Sequence, residues 1–198
     1  MRVTTVGVVG AGAMGSGIAA LAASAGCRVV LLDIPGDPDP KSPNRSAPAK
    51  NGLAKAAKSK PASFMEAAAM QRVRTGNTDD HLAWLGECDW ICEAIVELPE
   101  PKQQLFARID ALMKPTAIIS SNTSGIPMSV LLAGRSEKFR RRFLGTHFFN
   151  PPRYMHLLEV IPTPETDPAV IGAMREFAER TLGKGIVIAK DVPGFIAN

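Results

Sequence analysis

The sequence predicts an α/β fold built on a doubly wound, mostly parallel sheet, and three observations carry that expectation. Short apolar, β-branched runs alternate with helical patterns along most of the chain. Several of these runs are apolar almost throughout, as strands covered on both faces must be. The first run also leads straight into a glycine-rich turn and a helix of small residues, the opening of a βαβ unit.

Taken in order, residues 3–9 form the first strand and pass through Gly10-x-Gly12-x-x-Gly15 into a helix over 14–25. Each glycine has a physical task in a dinucleotide-binding turn. Gly10 permits the tight strand-to-helix turn, Gly12 lets the backbone approach a pyrophosphate, and Gly15 lets the helix pack closely on its strand. The N–H groups of the first helical turn, those of Ala13 and Met14 included, would then face the phosphates at the positive end of the helix. Gly26 is a natural C-cap. Residues 27–33 read as a buried strand ending in Asp33, which lies 18 residues past Gly15. A carboxylate there accepts hydrogen bonds from a ribose 2′-hydroxyl and repels a 2′-phosphate, so NAD is expected rather than NADP.

Residues 34–63 change character, with Pro35, Pro38, Pro40, Pro43, Pro48 and Pro61 among many lysines. This insertion is expected to be mostly loop, with one short helix near 53–58. Its default role is a solvated basic surface, and the sharper alternative is a landing site for a polyanion such as the phosphates of coenzyme A. Ser63-Phe64-Met65-Glu66 fits a capping box and predicts a helix start. A strand is expected at 71–75, a helix from Thr78 to Leu85, and a nearly continuous apolar strand over 90–96. Prolines and acidic residues at 97–101 open the next helix, whose Leu105, Phe106, Ile109, Leu112 and Met113 recur at helical spacing. A strand at 117–120 leads to the polar turn Ser121-Asn122-Thr123-Ser124-Gly125, followed by a helix over 127–132. Residues 137–142 read as a charged, solvated segment. Strands at 143–149 and 157–161 flank a loop, Thr166-Asp167-Pro168 starts a helix to Leu182, and a last strand covers 185–189.

Composition sets limits. The chain has 198 residues, 45% hydrophobic, with net charge +4, enough for one large domain and too little charge to argue for nucleic acid or a membrane surface. No run reaches 18 apolar residues, so neither a membrane span nor an export signal is expected. Cys27, Cys88 and Cys92 are few and odd in number, which fits buried reduced thiols in a cytoplasmic protein. No histidine lies near Cys88 or Cys92, so no metal site is expected.

Of the three histidines, His81 reads as a surface residue at a helix start. His147 ends an apolar strand, where ligands of open α/β sheets collect. If the chain folds back around Arg153 as an antiparallel hairpin, His147 and Glu159, each six positions from Arg153, face each other. The carboxylate would then fix the imidazole tautomer and raise its basicity, as a general base requires. A structural His–Glu pair at a sheet edge is the competing reading. The serine turn at 121–125 could supply donors to a substrate oxygen, or simply cap a helix.

Together these motifs resemble the NAD-binding domain of L-3-hydroxyacyl-CoA dehydrogenases. The matching pieces are Gly10-Ala11-Gly12-Ala13-Met14-Gly15, Glu93-Ala94-Ile95-Val96-Glu97, Ser121-Asn122-Thr123-Ser124, His147-Phe148-Phe149-Asn150-Pro151 and Pro193-Gly194-Phe195-Ile196-Ala197-Asn198. The resemblance covers nearly the whole chain, residues 1–198, as a Rossmann domain. It implies that His147 is the base that removes the 3-hydroxyl proton while hydride passes to NAD, oriented by Glu159. Ser124 and Asn198 would bond the reacting oxygen, and Glu97, Lys102 and Asn122 would line the cofactor and substrate cleft. The resemblance further implies an acyl-CoA substrate, fatty-acid β-oxidation, and a C-terminal helical domain beyond residue 198 that closes the cleft and builds a homodimer. The 198 residues alone are expected to bind NAD and turn over poorly. The proline-rich insertion departs from the long helical pair of usual members and looks like the dehydrogenase part of a larger β-oxidation polypeptide, such as one carrying an enoyl-CoA hydratase module. Two other functions stay open: a dehydrogenase of a β-hydroxy acid without CoA, and a non-catalytic NAD-binding module.

Overall fold

A computed structural model describes residues 2–192 and 194–197. The strands are β1 (Thr5–Val9), β2 (Arg28–Asp33), β3 (Val73–Asn77), β4 (Trp90–Glu93), β5 (Ile118–Ser121), β6 (Phe143–Phe148), β7 (Leu157–Pro162) and β8 (Gly185–Ile188). They make one sheet in the order β3-β2-β1-β4-β5-β6-β7-β8. Neighbours run parallel except for the antiparallel pair β6–β7. The helices are α1 (Ala13–Ser24), α2 (Ala47–Ala57), α3 (Pro99–Leu112), α4 (Met128–Leu131), α5 (Glu137–Arg142) and α6 (Pro168–Arg180), with 3₁₀ turns at Ala67–Arg72 and Leu82–Glu87. This is the doubly wound α/β sheet that the alternation of strands and helices predicts.

The central strands are buried on both faces because successive side chains enter opposite cores. Val6, Val8, Trp90, Ile118 and Leu144 join α1 and α6 in one cluster. Val9, Ile91, Ile119 and Phe143 join α3, α4 and α5 in the other. The chain builds outward from β1 to β3, then crosses back to β4 on the other side of β1. The C-terminal ends of β1 and β4 therefore flank the switch point where such sheets bind ligands.

Several elements differ from the sequence reading. The insertion carries an 11-residue helix, α2, in place of a short one near 53–58. Pro48 sits in its first turn, where the missing N–H costs nothing, so it is compatible with a helix start. The capping box at Ser63 does not form: the Ser63 N–H and hydroxyl both turn to Ser59 Oγ, and only a 3₁₀ turn follows at Ala67. The helix expected from Thr78 is likewise a single 3₁₀ stretch. β4 stops at Glu93, short of Val96, because Glu93 turns its carboxylate onto the N–H of Ile95 and ends the ladder. Residues 137–142 are helical as α5, capped by Ser136 Oγ, and Phe139 is buried on its inner side. All three cysteines are free and buried. No helix of the described residues is long and apolar enough to cross a membrane.

Two carboxylates tie the outer connections down. Partial burial of Asp89 works against its charge, yet Lys114 Nζ at 2.5 Å and the N–H groups of Thr4 and Thr5 outweigh it and hold the carboxyl down to about 2. Asp80, bonded by Arg45 and Asn77, is also held down to about 2. Both are more acidic than the ~3.9 of an unfolded aspartate. Their stabilisation is therefore complete above pH ~4 and lost as pH falls toward 2. Thermal unfolding midpoints should drop between pH 5 and pH 2, and Asp89→Asn should show a shallower drop from a lower starting point. Parallel declines in the two proteins would remove Asp89 from the acid sensitivity.

Candidate active site

The glycine turn connects β1 to α1. Gly10 has φ +103°, and a Cβ there would lie 2.3 Å from Ala94 O, so the ends of β1 and β4 can approach only because it is glycine. A Cβ on Gly15 would meet Gly10 O at 1.8 Å. Gly12 is the N-cap of α1, and a Cβ on it would meet nothing within 4 Å. It faces open cleft, and no side chain caps the helix there. The N–H groups at Ala13 and Met14 thus begin a helix whose positive end is left to the cleft.

Asp33, at the end of β2, does two things. Its Oδ2 accepts the Ala11 N–H at 2.6 Å and its Oδ1 accepts the Ile34 N–H at 2.7 Å. The Ala11 carbonyl is in turn bonded by Ser16 Oγ at 2.8 Å. Ala11 is thus held through both its N–H and its carbonyl, with carboxylate lone pairs to spare for hydroxyl donors. A cleft of about 730 Å³ opens here, lined by Gly12, Ala13 and Asp33 on the turn side, Lys55 and Lys60 from the insertion, and Asn150-Pro151 after β6. An uncapped helix start, a glycine facing open space and an acceptor at the end of β2 fit the pyrophosphate and ribose of a dinucleotide.

A second cluster follows β4 and β5. Glu93 is 0% exposed and Lys102 only 1%, and they pair at 2.5 Å. Ser121 Oγ donates to the other Glu93 oxygen. Burial pushes the Glu93 carboxyl up against the pull of Lys102. Lys102 also reaches Glu97 at 3.2 Å. Half-burial opposes charge on Glu97, but the Thr123 hydroxyl, Lys102 and the Ser124 N–H prevail and hold it below its usual value. Ser124 is thereby fixed through its backbone while its side chain stays exposed. Asn122 Oδ1 accepts the Phe148 N–H at 2.9 Å and joins this cluster to β6.

β6 ends in His147. The antiparallel register pairs His147 with Glu159, as the symmetry about Arg153 predicts. Nδ1 lies 2.7 Å from Glu159 Oε2, with His147 4% and Glu159 0% exposed. Glu159 Oε1 accepts the N–H groups of Ile196 and Ala197, both at 2.9 Å. An acceptor-only carboxylate so arranged places the imidazole proton on Nδ1. The Phe195 ring stands 5.5 Å from the His147 ring, and a Cβ on Gly125 would come within 3.8 Å of Gly194 N. The 194–197 segment therefore lies against both the histidine and the loop bearing Ser124. Asn198, expected beside the reacting oxygen, lies outside the described residues. His81, by contrast, sits away at β3, where its Nδ1 accepts the Asn77 N–H and its ring stacks near Trp84.

Three sets of contacts were not legible in the sequence. Glu93 stands in the motif Glu93-Ala94-Ile95-Val96-Glu97, but its pairing with Lys102 was not legible. Lys184, buried, donates to the carbonyls of Pro152 and Met155 and pins the β6–β7 turn; burial pushes its pKa down. Arg153 and Tyr154 reach across to the insertion.

The switch-point turn and its strand-end acid, with a buried histidine–carboxylate pair at the end of β6, place the chain among dinucleotide-binding α/β proteins. The profile described as "3-hydroxyacyl-CoA dehydrogenase, NAD binding domain" matches residues 5–192. A "Probable 3-hydroxyacyl-CoA dehydrogenase" of Deinococcus radiodurans is 52% identical over the whole chain and 56% of its own length. A 3-hydroxybutyryl-CoA dehydrogenase of Bradyrhizobium diazoefficiens is 38% identical over 98% of the chain and 63% of its own length. The crystal structure of M. tuberculosis FadB2 matches with a TM-score of 0.83 at 33% identity, covering 100% of this chain and 67% of that one. The chain belongs to the 3-hydroxyacyl-CoA dehydrogenase family and corresponds to its NAD-binding domain. It spans from 26% to 63% of the length of the curated relatives it matches.

The buried Glu93–Lys102 pair gives a test of the site's electrostatics. Lys102→Met strands a buried carboxylate and should cost about 3–5 kcal/mol, while adding Glu93→Gln should recover most of it. Denaturant unfolding of the single and double variants measures this, and additive losses would mean the two side chains are not coupled.

Proposed function

We propose that the chain carries the cofactor site and catalytic pair of an NAD-dependent dehydrogenase that oxidises L-3-hydroxyacyl-CoA to 3-ketoacyl-CoA. The observation that carries this reading is the buried His147–Glu159 bond at the carboxyl end of β6, the strand whose following residues Asn150 and Pro151 line the cleft at the glycine turn. Gly10, Gly12, Ala13, Met14 and Gly15 would hold the pyrophosphate and Asp33 the adenosine ribose. Bound NAD would supply the hydride acceptor. His147 acts as general base: with Nδ1 committed to Glu159, Nε2 takes the hydroxyl proton as the substrate carbon loses its hydride. Glu159 stabilises the imidazolium that results and is itself held by two backbone N–H groups. Ser124 and Asn198 bond the substrate oxygen, while Glu97, Lys102 and Asn122 fix the loop that presents Ser124.

Lys55 and Lys60 line the cleft beside the dinucleotide turn and favour a phosphate-bearing substrate such as an acyl-CoA over a free hydroxy acid. Fatty-acid β-oxidation is the pathway this substrate class suggests, and three free thiols suit a cytoplasmic setting. A C-terminal helical domain that closes the cleft and forms a homodimer completes the proposal.

In the protein at the length of its relatives, His147→Ala should lower kcat with a 3-hydroxyacyl-CoA by about 10²–10⁴-fold and leave NADH affinity unchanged. Steady-state rates and NADH fluorescence titration measure the two. A rate near wild type would remove His147 from the mechanism. Turnover of a free β-hydroxy acid with none of its CoA thioester would move the substrate class.

A further inference from the structure

The insertion and the β6–β7 hairpin are far apart in sequence and joined in space. Arg153 Nη1 donates to the carbonyls of Ala62 at 2.8 Å and Phe64 at 2.7 Å. Tyr154 donates its hydroxyl to the same Ala62 carbonyl at 3.0 Å. Three hydrogen bonds from the hairpin tip therefore fall on two carbonyls of the loop that follows α2. That loop contributes Ser59, Lys60, Pro61 and Ser63 to one wall of the cleft, and the hairpin contributes Asn150 and Pro151 to the same cleft.

The hairpin tip is a firm anchor. Lys184 Nζ donates to Pro152 O and Met155 O on either side of Arg153 and Tyr154. A Cβ on Gly17 would come within 2.9 Å of the Pro152 ring, so the tip also packs directly on α1. The insertion loop is otherwise held by Phe64, which is buried in the core, by Ser59 and Ser63, which bond each other at its base, and by Met65 N–H, which reaches Ser24 Oγ.

We propose that Arg153, helped by Tyr154, is a positioning residue that latches the insertion loop to the hairpin and so sets the lysine-bearing wall for the phosphates of the CoA substrate. The latch rests on the CoA reading above. It makes the hairpin serve two ends of one substrate: His147 and Glu159 at the reacting carbon, and the latched wall at the phosphorylated tail. The dinucleotide turn does not depend on it, because Ala11 is held by Asp33 and Ser16.

The test is calorimetric titration of the 198-residue chain with CoA and, separately, with NADH, together with amide hydrogen exchange over residues 59–66. Arg153→Ala should weaken CoA by about tenfold, the loss of one to two hydrogen bonds' worth of positioning. It should change NADH by less than about twofold and speed exchange at the loop. Tyr154→Phe, which removes a single hydroxyl, should do the same to a smaller degree, and Arg153→Lys should restore part of the CoA affinity. Lys55→Gln/Lys60→Gln should weaken CoA with the loop's exchange unchanged. Wild-type CoA affinity in Arg153→Ala, beside a weakened lysine variant, would overturn the latch. Wild-type CoA affinity in the lysine variant would instead overturn the CoA reading of this wall. Unchanged exchange in both Arg153→Ala and Tyr154→Phe would overturn the latch whatever the ligand.

Discussion

The antiparallel register of β6 and β7 is the constraint on which the site depends. Side chains alternate along a strand, so a slip of one residue would turn Glu159 away from His147 and toward the opposite core. The register is held at the turn end. Phe148 N–H is fixed by Asn122 at the strand end, and Lys184 pins the turn through two carbonyls. Beyond β7, the backbone of Ile196 and Ala197 closes on the second oxygen of Glu159. A buried carboxylate is costly unless its lone pairs are met, and here three donors meet them. The imidazole is consequently held by a group that is itself held.

The remaining parts of the site are arranged around the switch point by the same economy of backbone. β1 and β4 approach through Gly10, and Ala11 is gripped by Asp33 from the next strand. Glu93 then ties β4 to β5 through Ser121 and to α3 through Lys102. Each strand end is bonded to a neighbour's end. The cleft is thus a set of strand termini fixed to one another.

Much of this was legible in the sequence, for identifiable physical reasons. The glycine turn and Asp33 are local patterns whose spacing follows from a βαβ unit, and the structure puts them together at the switch point. His147 opposite Glu159 could be read because a hairpin maps sequence symmetry onto space. The helix of the insertion is longer than its proline content suggests, because Pro48 falls in the first turn of α2, where no N–H is needed. Glu93–Lys102 and Arg153–Ala62 were not legible: each joins elements whose relative placement depends on the packed sheet, and no periodicity announces a buried ion pair or a carbonyl latch. The charged run at 137–142 hid a helix because Phe139 is its single apolar residue, and one residue makes no stripe.

The account's central claim is that Glu159 fixes His147 with its proton on Nδ1. Nitrogen-15 NMR of the imidazole at neutral pH measures this directly. The account predicts a protonated Nδ1 with a strongly deshielded, slowly exchanging proton, and loss of that proton signal in Glu159→Ala. A neutral ring carrying its proton on Nε2, with a spectrum unchanged in Glu159→Ala, would contradict it.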